Sequence, residues 1–117
     1  MGDTPILEIS RLEEIFEDDT AGIADLLDAA MGTGATNQAT LRDAFARRSL
    51  DEVMRASHAI KGSTANVGGN EVAEIAGRIE AAARAQTWDG IEPALSELDA
   101  AYERLREAVR AYRAEVS

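Results

Sequence analysis

Ser49-Leu50-Asp51-Glu52-Val53-Met54-Arg55-Ala56-Ser57-His58-Ala59-Ile60-Lys61-Gly62-Ser63-Thr64-Ala65-Asn66-Val67-Gly68-Gly69 reads as one helix with a start and a stop. Ser49 and Glu52 form a capping box: the serine hydroxyl accepts from the backbone N–H of Glu52 while the glutamate reaches back to the serine N–H, so the helix starts at Leu50. Leu50, Val53, Met54, Ile60, Thr64 and Val67 supply an apolar stripe, and Gly68-Gly69 supplies the stop through left-handed backbone geometry. His58 is the only histidine in the chain. At about 100° per residue it falls off the stripe, on the exposed flank of the core face.

The same periodicity extends outward in both directions. Ile6, Leu7, Ile9, Leu12, Ile15 and Phe16 predict a short amphipathic helix ending in Glu17-Asp18-Asp19, an acidic run suited to the start of the next helix. That next helix runs from about Ala21 to Arg48. Its centre, Gly32-Thr33-Gly34-Ala35-Thr36-Asn37, is poor helix material, each glycine costing roughly 1 kcal/mol relative to alanine. The stripe Ile23, Leu27, Ala30, Gly34, Leu41, Phe45 nevertheless stays in phase across it, which favours one long, locally weakened helix. A break near Gly32 to Asn37 is the alternative.

Downstream, Asn70 is placed to cap a helix from Glu71 to about Gln86 that buries Val72, Ile75, Ala76, Ile79 and Ala83. Thr87-Trp88-Asp89-Gly90 reads as a turn, with Trp88 as a plug at the end of the bundle. Ile91, Leu95, Leu98, Tyr102, Leu105, Val109 and Tyr112 then repeat by fours and threes, the seam of a helix packed at a shallow angle on near-parallel neighbours. Pro93 falls in the first turn, where it is tolerated. The predicted fold is all-α, an antiparallel four-helix bundle with a short extra N-terminal helix. One domain spans residues 1–117, with residues 1–5 expected to be flexible.

Composition sets the limits of function. At 117 residues there is room for a single core but not for a nucleotide-binding domain as well. The chain has no cysteine, which removes disulfides and thiolate metal sites and suits a reducing compartment. Charge breaks every apolar stretch, and Met1-Gly2-Asp3-Thr4 lacks the basic region of a signal peptide, so a cytoplasmic protein without a membrane segment is expected. A net charge of −10, from 22 acidic and 12 basic side chains, repels phosphate backbones, and Arg47-Arg48 alone makes no nucleic-acid patch. A di-metal carboxylate bundle needs two Glu-x-x-His motifs, which one histidine cannot supply, and no metal site is expected. Neither a phosphate-binding glycine loop nor a Ser-His-Asp set is present.

The face around His58 is more specific. Met54 and Arg55 lie one turn before it, Lys61 and Gly62 one turn after. Helical side chains lean towards the N-terminus, so the residue four positions later normally covers the surface over a given side chain. At Gly62 nothing covers it, which opens an approach to the imidazole, and Ala65 continues the low surface. Lys61 is expected to bring a positive charge near the ring, disfavouring imidazolium and attracting phosphoryl oxygens.

His58-Ala59-Ile60-Lys61-Gly62-Ser63-Thr64, followed by Asn66-Val67-Gly68-Gly69, resembles the signature of histidine-containing phosphotransfer (HPt) domains: His, any residue, a hydrophobic residue, Lys, Gly, then two small residues. The similarity covers most of the chain, with Arg55-Ala56-Ser57 before the histidine and Val72, Ile75, Ile79 and Glu80 in the next helix. The resemblance implies a phosphorelay intermediate of two-component signalling without kinase activity of its own. By it His58 is the phosphoacceptor, Lys61 its electrostatic support, Gly62 the clearance and Ser63 a small structural residue at the site. Met54, Arg55, Gly62, Ala65 and Gly69 are the residues expected to meet the partner. The implied partners are receiver domains of response regulators, with a hybrid histidine kinase as a candidate donor. No cofactor is expected on this chain, since in the family the receiver contributes the aspartate and the Mg2+.

Two rivals stand beside this reading. The histidine-bearing domain of a chemotaxis-type kinase shares the bundle and a similar motif but takes phosphate from ATP through a separate domain; the discriminator is chain context, the free-standing relay being favoured if residues 1–117 are a complete protein. A helical adaptor without covalent chemistry would make His58 dispensable.

Overall fold

The computed structural model describes residues 6–116, which form α1 (Ser10–Ile15), α2 (Thr20–Ala46), α3 (Leu50–Asn66), α4 (Asn70–Arg84) and α5 (Ile91–Val116). α3 packs between α2 and α4, and α5 closes the bundle against α4 and α2; α1 rests on α2. Ile23, Leu27 and Leu41 of α2, Val53 and Ile60 of α3, Val72 and Ile79 of α4, and Leu95, Leu98 and Leu105 of α5 are buried in one core. Full burial of each such side chain stabilises the bundle by about 1.5–3 kcal/mol.

α2 is a continuous helix through its glycine-rich centre. Gly34 faces inward, and a Cβ built on it would stand 2.7 Å from Cε1 of the fully buried Tyr102 ring. This glycine is therefore a packing requirement. Gly32, by contrast, faces open space. Asp19 caps the helix, its carboxylate accepting from the Gly22 N–H at 3.1 Å.

Several expected element ends are corrected. The N-terminal helix starts at Ser10, not Ile6, because the preceding segment is tied down from outside: the Glu8 N–H donates to the Gly68 carbonyl at 2.8 Å. Gly68 has φ +83, and a Cβ there would collide with the Glu8 carbonyl oxygen, so the strap and the α3–α4 turn demand the same glycine. Ile15 turns outward, 60% exposed, instead of joining the core.

The capping box is half made. Ser49 Oγ accepts from the Glu52 N–H at 3.2 Å, but the Ser49 N–H donates to the Ala44 carbonyl and the Glu52 carboxylate is taken by Arg47. Asn70 is the first residue of α4 and makes no side-chain cap. Residues 1–5, expected to be flexible, lie outside the described residues.

Antiparallel packing brings the α2–α3 and α4–α5 turns to one end. There the Trp88 ring meets Phe45 edge-on at 5.7 Å, and the Arg48 guanidinium lies 4.6 Å from the Phe45 ring and 5.2 Å from that of Trp88. The indole plugs the end, as its place in the sequence suggested. The strap and the α3–α4 turn occupy the opposite end.

Candidate functional site

α3 carries His58 on its outer surface, with 62% of the side chain exposed, while Ser57 beside it is buried and donates to the Val53 carbonyl at 2.7 Å. Nδ1 of His58 lies 2.9 Å from Oε2 of Glu80 on α4. The ammonium of Lys61 sits 2.8 Å from Oε1 of the same carboxylate, and Arg84 donates to Oε2 from Nη2 at 2.8 Å and from Nε at 3.1 Å. Glu80 is only 3% exposed.

Burying a carboxylate is unfavourable unless donors replace its water. Here the Lys61 ammonium foremost, with Arg84 and His58, holds the Glu80 carboxyl down to about 2 against the opposing effect of burial. An ionised carboxylate only accepts hydrogen bonds, so Nδ1 carries a proton towards Glu80, and a lone pair on this ring can only be at Nε2. Expected and observed electrostatics differ on one point. The group that touches the ring is a carboxylate, and the Lys61 charge rests on that carboxylate.

A shallow trough of about 310 Å³ lies between α3 and α4, lined by His58, Lys61, Gly77, Glu80, Ala81 and Arg84. Gly62 is exposed and a Cβ built on it meets nothing within 4 Å, so this chain's own packing does not require the glycine. Ala65 is exposed, Met54 packs partly against the core, and Ser63 is half-buried with Oγ 3.3 Å from the Ile60 carbonyl. Arg55, ion-paired with Asp51, borders a separate groove shared with Asn37 and Thr40 of α2. Gly69, expected at the partner surface, is buried, and a Cβ there would stand 2.9 Å from Leu105 Cδ2, so packing alone accounts for the glycine.

Glu80 and Arg84 are the site residues that sequence reasoning did not select. A signal existed: Ala73, Ala76, Glu80 and Ala83 follow at helical spacing and all are buried, so a carboxylate interrupts a stripe of alanines. Among the described residues no group of three or more His, Asp or Glu could hold a metal ion, and no helix is long and apolar enough to cross a membrane.

Residues 12–108 match the family model of the Hpt domain. The chain belongs to the Hpt domain family. Its fold is also that of a solved structure, histidine-containing phosphotransfer protein B (HptB) from Pseudomonas aeruginosa PAO1, with a TM-score of 0.86 over 97% of this chain and 98% of that one at 19% identity. No curated protein matches the chain. Hpt domains act in two-component phosphorelays with receiver domains, and that is the function of this one at its most general.

Proposed function

We propose that this Hpt domain accepts a phosphoryl group at Nε2 of His58 from the aspartyl phosphate of a receiver domain and passes it to the aspartate of another. The observation that carries the reading is the His58–Glu80 contact, which engages Nδ1 of an exposed ring and so assigns the reacting lone pair to Nε2. In the forward step the Nε2 lone pair forms the N–P bond as the P–O bond to the receiver aspartate breaks, and the aspartate leaves as a carboxylate. The ring keeps its Nδ1 proton and becomes positively charged opposite Glu80, much as a carboxylate steadies the imidazolium of a hydrolase triad.

In the onward step the second aspartate attacks phosphorus and the N–P electron pair returns to Nε2. Lys61 and Arg84 together outweigh the Glu80 charge, giving the trough a net positive charge within an acidic protein. Transfer of this kind depends on positioning and on metal and cationic charge. We assign the Mg2+ to the receiver, and approach to Nε2 to the open surface at Gly62 and Ala65, with Met54 and Arg55 at its margin. A hybrid histidine kinase is a candidate donor, and the cytoplasm is the compartment where such receivers meet the chain.

Incubation with a receiver carrying labelled phosphate tests this directly. Label should appear on the protein as a base-stable, acid-labile phosphoramidate and be lost in His58→Gln; undiminished labelling of that variant overturns the assignment.

A further inference from the structure

Gly77 is the only glycine of α4, a helix otherwise rich in alanine and other good formers. It lies mid-helix and half-buried, with no left-handed backbone angle to explain it. A glycine in such a place weakens the helix, so what its missing side chain makes room for is informative. Apart from its chain neighbours and the backbone of its own helix, the described residues bring a single atom within 4 Å of a Cβ built on Gly77, Cδ of Lys61 at 3.4 Å. Lys61 thus crosses from α3, lays its methylene stem over the bare backbone at Gly77, and ends on Glu80, about 4.5 Å further along the α4 axis.

We propose that Gly77 is a positioning residue for phosphotransfer: it is the bed for the Lys61 stem, and it fixes the ammonium on the carboxylate that also holds the imidazole. A lysine on a flexible stem otherwise spreads its charge over many rotamers. With the stem seated, the charge stands at Glu80 Oε1 while His58 Nδ1 stands at Oε2. Alanine at position 77 fits at ordinary contact distance. Valine does not, because with two γ carbons on Cβ one of them faces the stem.

The inference rests on the proposed function only for its kinetic arm. Its direct arm uses the unaltered protein, in which NMR should show a cross-relaxation peak between the Gly77 α protons and the Lys61 δ protons. Gly77→Ala should transfer within about twofold of the parent, whereas Gly77→Val, still folded by circular dichroism, should slow transfer roughly tenfold, the scale of one misplaced charge-assisted hydrogen bond. In a Lys61→Ala background Gly77→Val should add nothing. The Glu80 carboxyl, followed by carbon NMR, should titrate higher in Gly77→Val and in Lys61→Ala alike.

Absence of the cross-peak, parental transfer by Gly77→Val, an equal slowing in the Lys61→Ala background, or an unmoved Glu80 titration overturns the proposal. Should the protein transfer no phosphate at all, the cross-peak and the titration still decide the role of Gly77.

Discussion

Glu80 is a carboxylate that water barely reaches, and the donors converging on it come from two helices. His58, Lys61 and Gly62 were legible in the sequence because they share one helix, where spacing alone puts them on one face. Glu80 lies twenty-two residues from His58, and its role arises from the register of α3 against α4, which periodicity within either helix does not contain. The arrangement has a pH signature. The folded-state pKa of Glu80 lies below the ordinary value of 4.5, at about 2, so its stabilising contribution is fully present above pH 4.5 and is lost as pH falls through about 2. Glu80→Gln should lower stability at neutral pH by about 1–3 kcal/mol, since it leaves Lys61 and Arg84 without their counter-charge. The gap between parent and variant should close as the pH is lowered across that window. Urea midpoints at a series of pH values measure it, and a gap of constant size from neutrality down to pH 2 contradicts the coupling.

At the scale of the element, α2 shows what sequence phase can and cannot say. The in-phase stripe through Ala30, Gly34, Leu41 and Phe45 correctly implied one helix, yet the two glycines at its centre were indistinguishable as letters. Packing separates them: Gly34 faces the Tyr102 ring and Gly32 faces solvent. Gly34→Ala should therefore destabilise by about 1–3 kcal/mol through overpacking although alanine is the better helix former, while Gly32→Ala should stabilise by about 0.5–1 kcal/mol. Chemical denaturation of the two variants gives both signs, and equal signs would refute the distinction. The element ends were the least legible part. The residues before Ser10 have helical spacing, but the hydrogen bond from the Glu8 N–H to Gly68 holds them as a strap. Asn70 is a good capping residue that the chain places one position too far inside α4. The first of these errors traces to a partner contributed by a distant segment, the second to a one-residue offset in where α4 begins.

On the whole molecule, the antiparallel order gives the bundle two unlike ends. One is closed by Trp88, Phe45 and Arg48, the other by the strap across the α3–α4 turn. Gly68→Ala strikes only the second, where both the positive φ and the Glu8 carbonyl exclude a Cβ. The Glu8 amide should lose its protection from hydrogen exchange in that variant, and stability should fall by more than about 1 kcal/mol. Retained protection at Glu8 would show that the strap does not depend on this turn. Trp88 is the chain's sole indole, and its emission reads the closed end without any added label. An optical signal at one end and an isotopic one at the other let a single denaturation series ask whether 117 residues melt as one cooperative body or fray from the strap inward.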